Sequence, residues 1–130
     1  MKKKVLIISP HADDEILGCG GFISKYSKHF YQIEVLILTN ANKGAPELFS
    51  PEDIKYIRKE AQIANKLIGT KKMYFENLPA VNLNNYPVYR ISNVIDKYIK
   101  KIKTEIILIP SRNDIHDDHK TVNKTENESI

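Results

Sequence analysis

Four short apolar runs punctuate the chain, with stretches of helical period between them. Val5-Leu6-Ile7-Ile8, Val35-Leu36-Ile37-Leu38 and Ile106-Ile107-Leu108-Ile109 are continuous and rich in β-branched residues, the pattern of strands buried on both faces. Met73-Tyr74-Phe75 is a shorter run of the same kind. Between the first two, Ile16, Gly20, Ile23, Ser27 and Phe30 recur at three- and four-residue steps, which predicts a helix over 14–29. Ile54, Ile57, Ala61, Ala64 and Ile68 keep the helical period in the next interval. That helix carries its own boundaries: Ser50 as N-cap, Pro51 at the first position, Asp53 at the third and Gly69 as the stop. Ile91, Val94, Ile95, Tyr98 and Ile102 predict a third helix.

The order βαβαβαβ predicts an α/β fold, a Rossmann-like three-layer αβα arrangement around a mostly parallel sheet. Ligands of such sheets bind outside the carboxyl ends of the strands. Here the first and last strands run into polar segments. Pro10-His11-Ala12-Asp13-Asp14-Glu15 and Gly18-Cys19-Gly20-Gly21 follow the first. Pro110-Ser111-Arg112-Asn113-Asp114-Ile115-His116-Asp117-Asp118-His119 follows the last. Three of the four histidines lie in these two segments, so the chemistry is expected where they meet.

Imidazole nitrogen and carboxylate oxygen suit a borderline ion such as zinc, and three protein ligands leave a position open for water. Water so bound has its pKa lowered to about 7, and a neighbouring carboxylate can take its proton. Adjacent Asp13 and Asp14 offer one carboxylate for each task. Gly18, Gly20 and Gly21 are expected to let the following helix approach the strand end closely. An Asp-Asp pair before a helix is by itself more often a cap, and a lone loop histidine is usually solvated. Two such clusters in one small domain outweigh those readings.

Composition adds exclusions. The 130 residues suit one domain, with 42% hydrophobic and 28% charged positions and no low-complexity tract. The formal charge of +4 includes the run Lys2-Lys3-Lys4, read as a solvated lead into the first strand. No tryptophan or stacking aromatic cluster accompanies the basic residues, so nucleic acid is not expected as a partner. The single Cys19 excludes an internal disulfide framework, and no run is long enough for an export signal or a membrane span. A cytoplasmic protein is expected, with homo-oligomers allowed.

The two motifs resemble those of the LmbE-like, or PIG-L-like, N-deacetylases. That family's P/A-H-x-D-D-E stands here as Pro10 to Glu15, and its D-x-H-x-D-H as Asp114 to His119. A softer R-x-E-A pattern stands as Arg58 to Ala61, followed by Leu67 and Gly69. The likeness covers residues 4 to about 122. It implies a zinc hydrolase that removes acetyl from an N-acetylglucosamine-type sugar conjugate, a small molecule or lipid-linked. It also implies zinc ligands His11, Asp14 and His119, and a general base at Asp13. His116, with Asp118 behind it, is implied to stabilise the oxyanion or protonate the amine, and Arg58 to bind substrate.

Family members continue past the second motif with a further helix and strands. Here 1–119 reads as the deacetylase domain, shortened at its C-terminal side, and 120–130 as a polar, disordered tail. The loop Thr39 to Gly44 lacks the glycine pair often found there in the family, which implies a different sugar fit. Two rivals stand beside the deacetylase. A non-haem iron(II) oxygenase fits His11-x-Asp13 with a distant histidine, although those enzymes are β-rich barrels. An inactive relative serving as a binding module fits the shortened C-terminal side.

Overall fold

The computed structural model describes residues 2–10, 14–28, 30–44, 46–79 and 87–109. Strands β1 (Lys3–Ser9), β2 (Tyr31–Asn40), β3 (Lys72–Pro79) and β4 (Ile106–Leu108) form one sheet in the order β3-β2-β1-β4. All three pairings are parallel. Helices α1 (Asp14–Tyr26), α2 (Ala41–Gly44), α3 (Pro51–Ile68) and α4 (Val88–Ile102) connect them.

Alternation along the central strands sends side chains to two separate cores. Val5 and Ile7 of β1 and Ile33, Val35 and Ile37 of β2 pack with Cys19 and Ile23 of α1, and Ile68 of α3 joins that layer. Leu6 and Ile8 with Leu36 and Leu38 face the other way, onto Ile91, Ile95, Tyr98 and Ile102 of α4. Two helices cover one face and α4 the other, which gives the three layers expected from the alternation of runs. Only strands covered on both faces read as unbroken apolar runs, and β1 and β2 from Val5 to Ile8 and Val35 to Leu38 are at most 1% exposed.

Helix α3 is bounded as its sequence indicates. Ser50 Oγ accepts from Asp53 N at 3.1 Å, and Asp53 Oδ2 accepts from Ser50 N at 2.9 Å, a reciprocal capping box. Gly69 ends the helix with φ 116°, the left-handed region that favours glycine. Buried Asn65 locks that end: Nδ2 donates to Ala61 O and Oδ1 accepts from Thr70 Oγ1, both at 2.9 Å.

Four expectations need correction. α1 stops at Tyr26, and Phe30 lies beyond it, 66% exposed, instead of on its buried stripe. Ile106 to Ile109 are half-buried, and β4 has one neighbour among the described strands. Residues 39–44 are not a loop: Thr39 and Asn40 finish β2, and Ala41–Gly44 form one helical turn. A Cβ on Gly21 would meet nothing within 4 Å, so close packing does not require that glycine. No described helix is long and apolar enough to cross a membrane. The tail at 120–130 lies outside the described residues.

Candidate active site

Since every strand is parallel, all four carboxyl ends lie on one rim of the sheet. Along that rim the connections change direction at β1. Its chain continues through α1 to β2 on one side, while β4 pairs on its other side after a crossover through α4. Such a switch point opens a crevice beyond the strand ends. Val5, Leu6 and Ile7 stand opposite Ile106, Ile107 and Leu108. Neighbouring strands are about 4.8 Å apart. The segments that follow β1 and β4, which carry the two His/Asp motifs, therefore depart from adjacent strand ends.

The start of the first motif is anchored from β2. The carbonyl oxygen of buried Pro10 accepts from Thr39 N at 3.1 Å and from Thr39 Oγ1 at 2.6 Å. Four residues later Asp14 opens α1, with its backbone at the helix N-terminus. His11 and Asp13 lie outside the described residues, as do His116, Asp118 and His119. Among the described residues no group of three or more His, Cys, Asp or Glu gathers; the two motifs carry such residues in the sequence. Their donor set of imidazoles and carboxylates suits zinc.

Arg58 is the one sequence-derived site residue whose side chain is described. It projects from α3 toward the end of β3, where the pairing shifts register. Ile37 stands opposite Phe75 but Thr39 opposite Leu78, so Glu76 and Asn77 together face Leu38 as a bulge. Arg58 Nη2 donates to Glu76 O at 2.7 Å and to Asn77 Oδ1 at 2.9 Å. Both acceptors are neutral, and burial pushes the guanidinium pKa down, partly opposed by the Glu76 charge.

Asn77 Oδ1 also accepts from Asn40 Nδ2 at 3.0 Å. Asn40 Oδ1 in turn accepts from Asn42 N at 2.9 Å, and Asn42 Nδ2 donates to Phe49 O at 2.7 Å. This amide chain ties the ends of β3 and β2 to α2 and to the approach to α3. Sequence reasoning missed it, because polar loop residues carry no spacing that reveals partners 37 positions apart. Beside it lies a cavity of about 690 Å³, with Ile54 and Phe75 among its apolar lining and Lys43, Lys55, Arg58 and Lys59 as its cations.

Comparisons place this architecture among known proteins. The family model described as PIG-L, GlcNAc-PI de-N-acetylase, matches residues 6–128. A diacetylchitobiose deacetylase from Thermococcus kodakarensis is 30% identical over 111 residues, covering 83% of this chain and 40% of that protein. The structure of the N,N'-diacetylchitobiose deacetylase from Pyrococcus horikoshii, with an inhibitor, superposes with a TM-score of 0.82 at 28% identity. That match covers 98% of this chain and 49% of the other. A conserved protein of Thermus thermophilus shares the fold with a TM-score of 0.78 at 22% identity, over 96% of this chain and 54% of its own. The chain thus spans about half the length of these relatives, or less.

Proposed function

The chain belongs to the PIG-L family, and from that membership we propose that it is a zinc-dependent N-deacetylase of an N-acetylglucosamine-type sugar conjugate. The observation that carries the reading is the parallel pairing of β1 with β4, which sends both His/Asp motifs out from adjacent strand ends at a switch point. The diacetylchitobiose deacetylases among its relatives act on amino-sugar amides, in keeping with the same reaction class here. The all-parallel sheet is unlike the β-rich barrel that an iron(II) oxygenase requires, and that rival is set aside.

In this reading His11, Asp14 and His119 hold the metal. Bound there, zinc would supply Lewis acidity toward the acetamide carbonyl and bring the pKa of water to about 7. Asp13 accepts the proton of the attacking water. His116, oriented by Asp118, donates a hydrogen bond to the developing oxyanion and then a proton to the departing nitrogen. The C–N bond breaks, and acetate and the free amine leave. Arg58, which holds the β3 bulge and itself lines the neighbouring cavity, contacts the substrate there.

The test is bound metal per chain, for folded wild type and His119→Ala, followed by acetate release from diacetylchitobiose. About one zinc per chain, lost in the variant, together with acetate release supports the reading. A folded wild type that binds no metal and releases no acetate overturns it in favour of the binding module.

A further inference from the structure

Charge is divided unevenly between the two rims of the sheet. Because the strands are parallel, all four begin on the rim opposite the motifs, and α1, α3 and α4 run back across the sheet to end there. The strand entries bring Lys2, Lys3 and Lys4 at β1, Lys28 before β2, Lys71 and Lys72 at β3, and Lys103 before β4. The last helical turns add Lys25, Lys66, Lys100 and Lys101. Eleven of the chain's 20 cationic residues therefore stand at this amino rim, with Glu34 and Glu105, out of 16 acids, as the acids of its described residues. A formal +9 there, against −5 over the rest of the sequence, makes up the chain's +4. Lysines in a last turn complement the helix dipole, but that accounts for four of the eleven. Both acids are turned to neutral donors. Buried Glu34 accepts from Tyr74 Oη at 2.8 Å, and Glu105 accepts from Lys4 N at 3.3 Å. Among the described residues the ion pair that forms, Lys97 with Glu76, lies away from this rim.

The same rim presents an exposed aromatic ring. Tyr31 stands opposite Lys3 in the β1–β2 register, and Phe30, one residue earlier, is 66% exposed and accepts at its carbonyl from Lys3 N at 3.1 Å. Lys2 and Lys71 share a recess with Tyr31, and exposed Lys28 lies two positions before Phe30. An apolar ring among long ammonium side chains suits a bilayer surface, where the ring enters the headgroup layer and the lysine stems snorkel. All eleven cations are lysines, without the planar guanidinium fork that favours paired contacts to nucleic-acid phosphates. We propose that the amino rim is a docking face for an anionic lipid bilayer, with Phe30 entering the headgroup layer and the lysines facing the lipid charges. The proposal is independent of the N-deacetylase reading. Strand β2 is 10 residues long, so docking holds the carboxyl rim roughly 30 Å from the lipid, open to the aqueous side.

The test is sedimentation of the 130-residue chain with vesicles of phosphatidylcholine, alone or with about 30% phosphatidylglycerol. Binding is expected to the anionic vesicles and not to the neutral ones, and is lost as salt rises from about 0.05 to about 0.5 M. Lys3→Gln/Lys28→Gln/Lys71→Gln, all at exposed positions, is expected to weaken it roughly tenfold or more. Lys43→Gln/Lys55→Gln/Lys59→Gln removes the same charge from exposed positions off this rim and leaves binding within about twofold. Thermal unfolding checks that both variants fold. The chain has no tryptophan, so Phe30→Trp is a sole reporter whose emission shifts to the blue on anionic vesicles. Equal binding to neutral and anionic vesicles, or to neither, overturns the proposal. Equal losses in the two triple variants also overturn it, since net charge and not this rim is then read. Unshifted emission from Phe30→Trp on anionic vesicles removes the ring from the lipid and overturns the assigned geometry. Retention on duplex DNA but not on anionic vesicles overturns it in favour of a nucleic-acid surface.

Discussion

The guanidinium of Arg58 lies 4.9 Å from the centre of the Phe75 ring, one residue before the β3 bulge that its Nη2 holds. Stacking and hydrogen bonding act on the same short segment, so Arg58 joins α3 to the sheet edge as well as lining the cavity. Arg58→Ala is expected to cost about 2 kcal/mol, because it removes a charge-assisted hydrogen bond and a cation–π interaction at once. Arg58→Lys keeps the charge but loses the planar guanidinium that lies over Phe75 while its Nη2 donates to Glu76 O and Asn77 Oδ1, and recovers less than half of the loss. Urea denaturation of the three proteins measures both. Equal stability of wild type and Arg58→Ala would show that the bulge stands without it.

Two glycines with opposite surroundings give opposite expectations. At Gly69 the backbone is left-handed, and a Cβ would fall 2.8 Å from Ser27 Cβ and onto its Oγ. Gly69→Ala is expected to destabilise by about 2 kcal/mol or more. Gly21 sits within α1 with open space where a side chain would go. Gly21→Ala is expected to stabilise by about 0.5–1 kcal/mol, because alanine loses less backbone freedom in a helix. Thermal unfolding of both variants reads the two signs directly.

On the α4 face, Tyr74 and Tyr98 pack with ring centres 5.2 Å apart, and each hydroxyl donates to a carboxylate. Tyr74 Oη reaches Glu34 Oε1 at 2.8 Å, and Tyr98 Oη reaches Glu76 Oε2 at 3.1 Å. Burial, then the Glu34 hydrogen bond and charge, pushes Tyr74 up to about 12. Burial, then the Glu76 charge and hydrogen bond, does the same for Tyr98, to about 12. A raised phenol favours the neutral form in the folded chain. Its contribution to stability is complete below the unfolded value near 10 and is lost as pH climbs toward 12. Near-ultraviolet titration should show these two phenols ionising late, and Glu34→Gln should bring Tyr74 back toward its ordinary value. An unshifted Tyr74 in the wild type would contradict the Glu34 contact.

What the chain discloses in advance follows from how local each feature is. The Ser50–Asp53 capping box, the Gly69 stop and the doubly buried runs Val5–Ile8 and Val35–Leu38 rest on neighbours within a few residues or on simple periodicity. The half-burial of Ile106 to Ile109 goes with β4 standing at the end of the described strand order, which strand composition does not encode. The Arg58–Asn77–Asn40–Asn42 chain joins groups on separate elements, and the R-x-E-A resemblance points to substrate binding at Arg58 without its hold on the bulge. The chemistry of the motifs is legible in residue type. The adjacency of the strands that deliver them needs the order β2-β1-β4.

That adjacency makes the assignment of the two neighbouring aspartates separable by experiment. Asp14 is the first residue of α1, and Asp13 is the residue before it in the sequence. If Asp14 ligates and Asp13 accepts the proton of water, Asp13→Asn removes the base and keeps a side chain of the same shape. Zinc content should then stay near one per chain while turnover falls by about 10²- to 10⁴-fold, with little change in KM. Asp14→Asn should instead lose metal and activity together. Metal loss in Asp13→Asn with metal retained in Asp14→Asn would exchange the two roles. Full turnover in Asp13→Asn would remove that residue from the proton transfer.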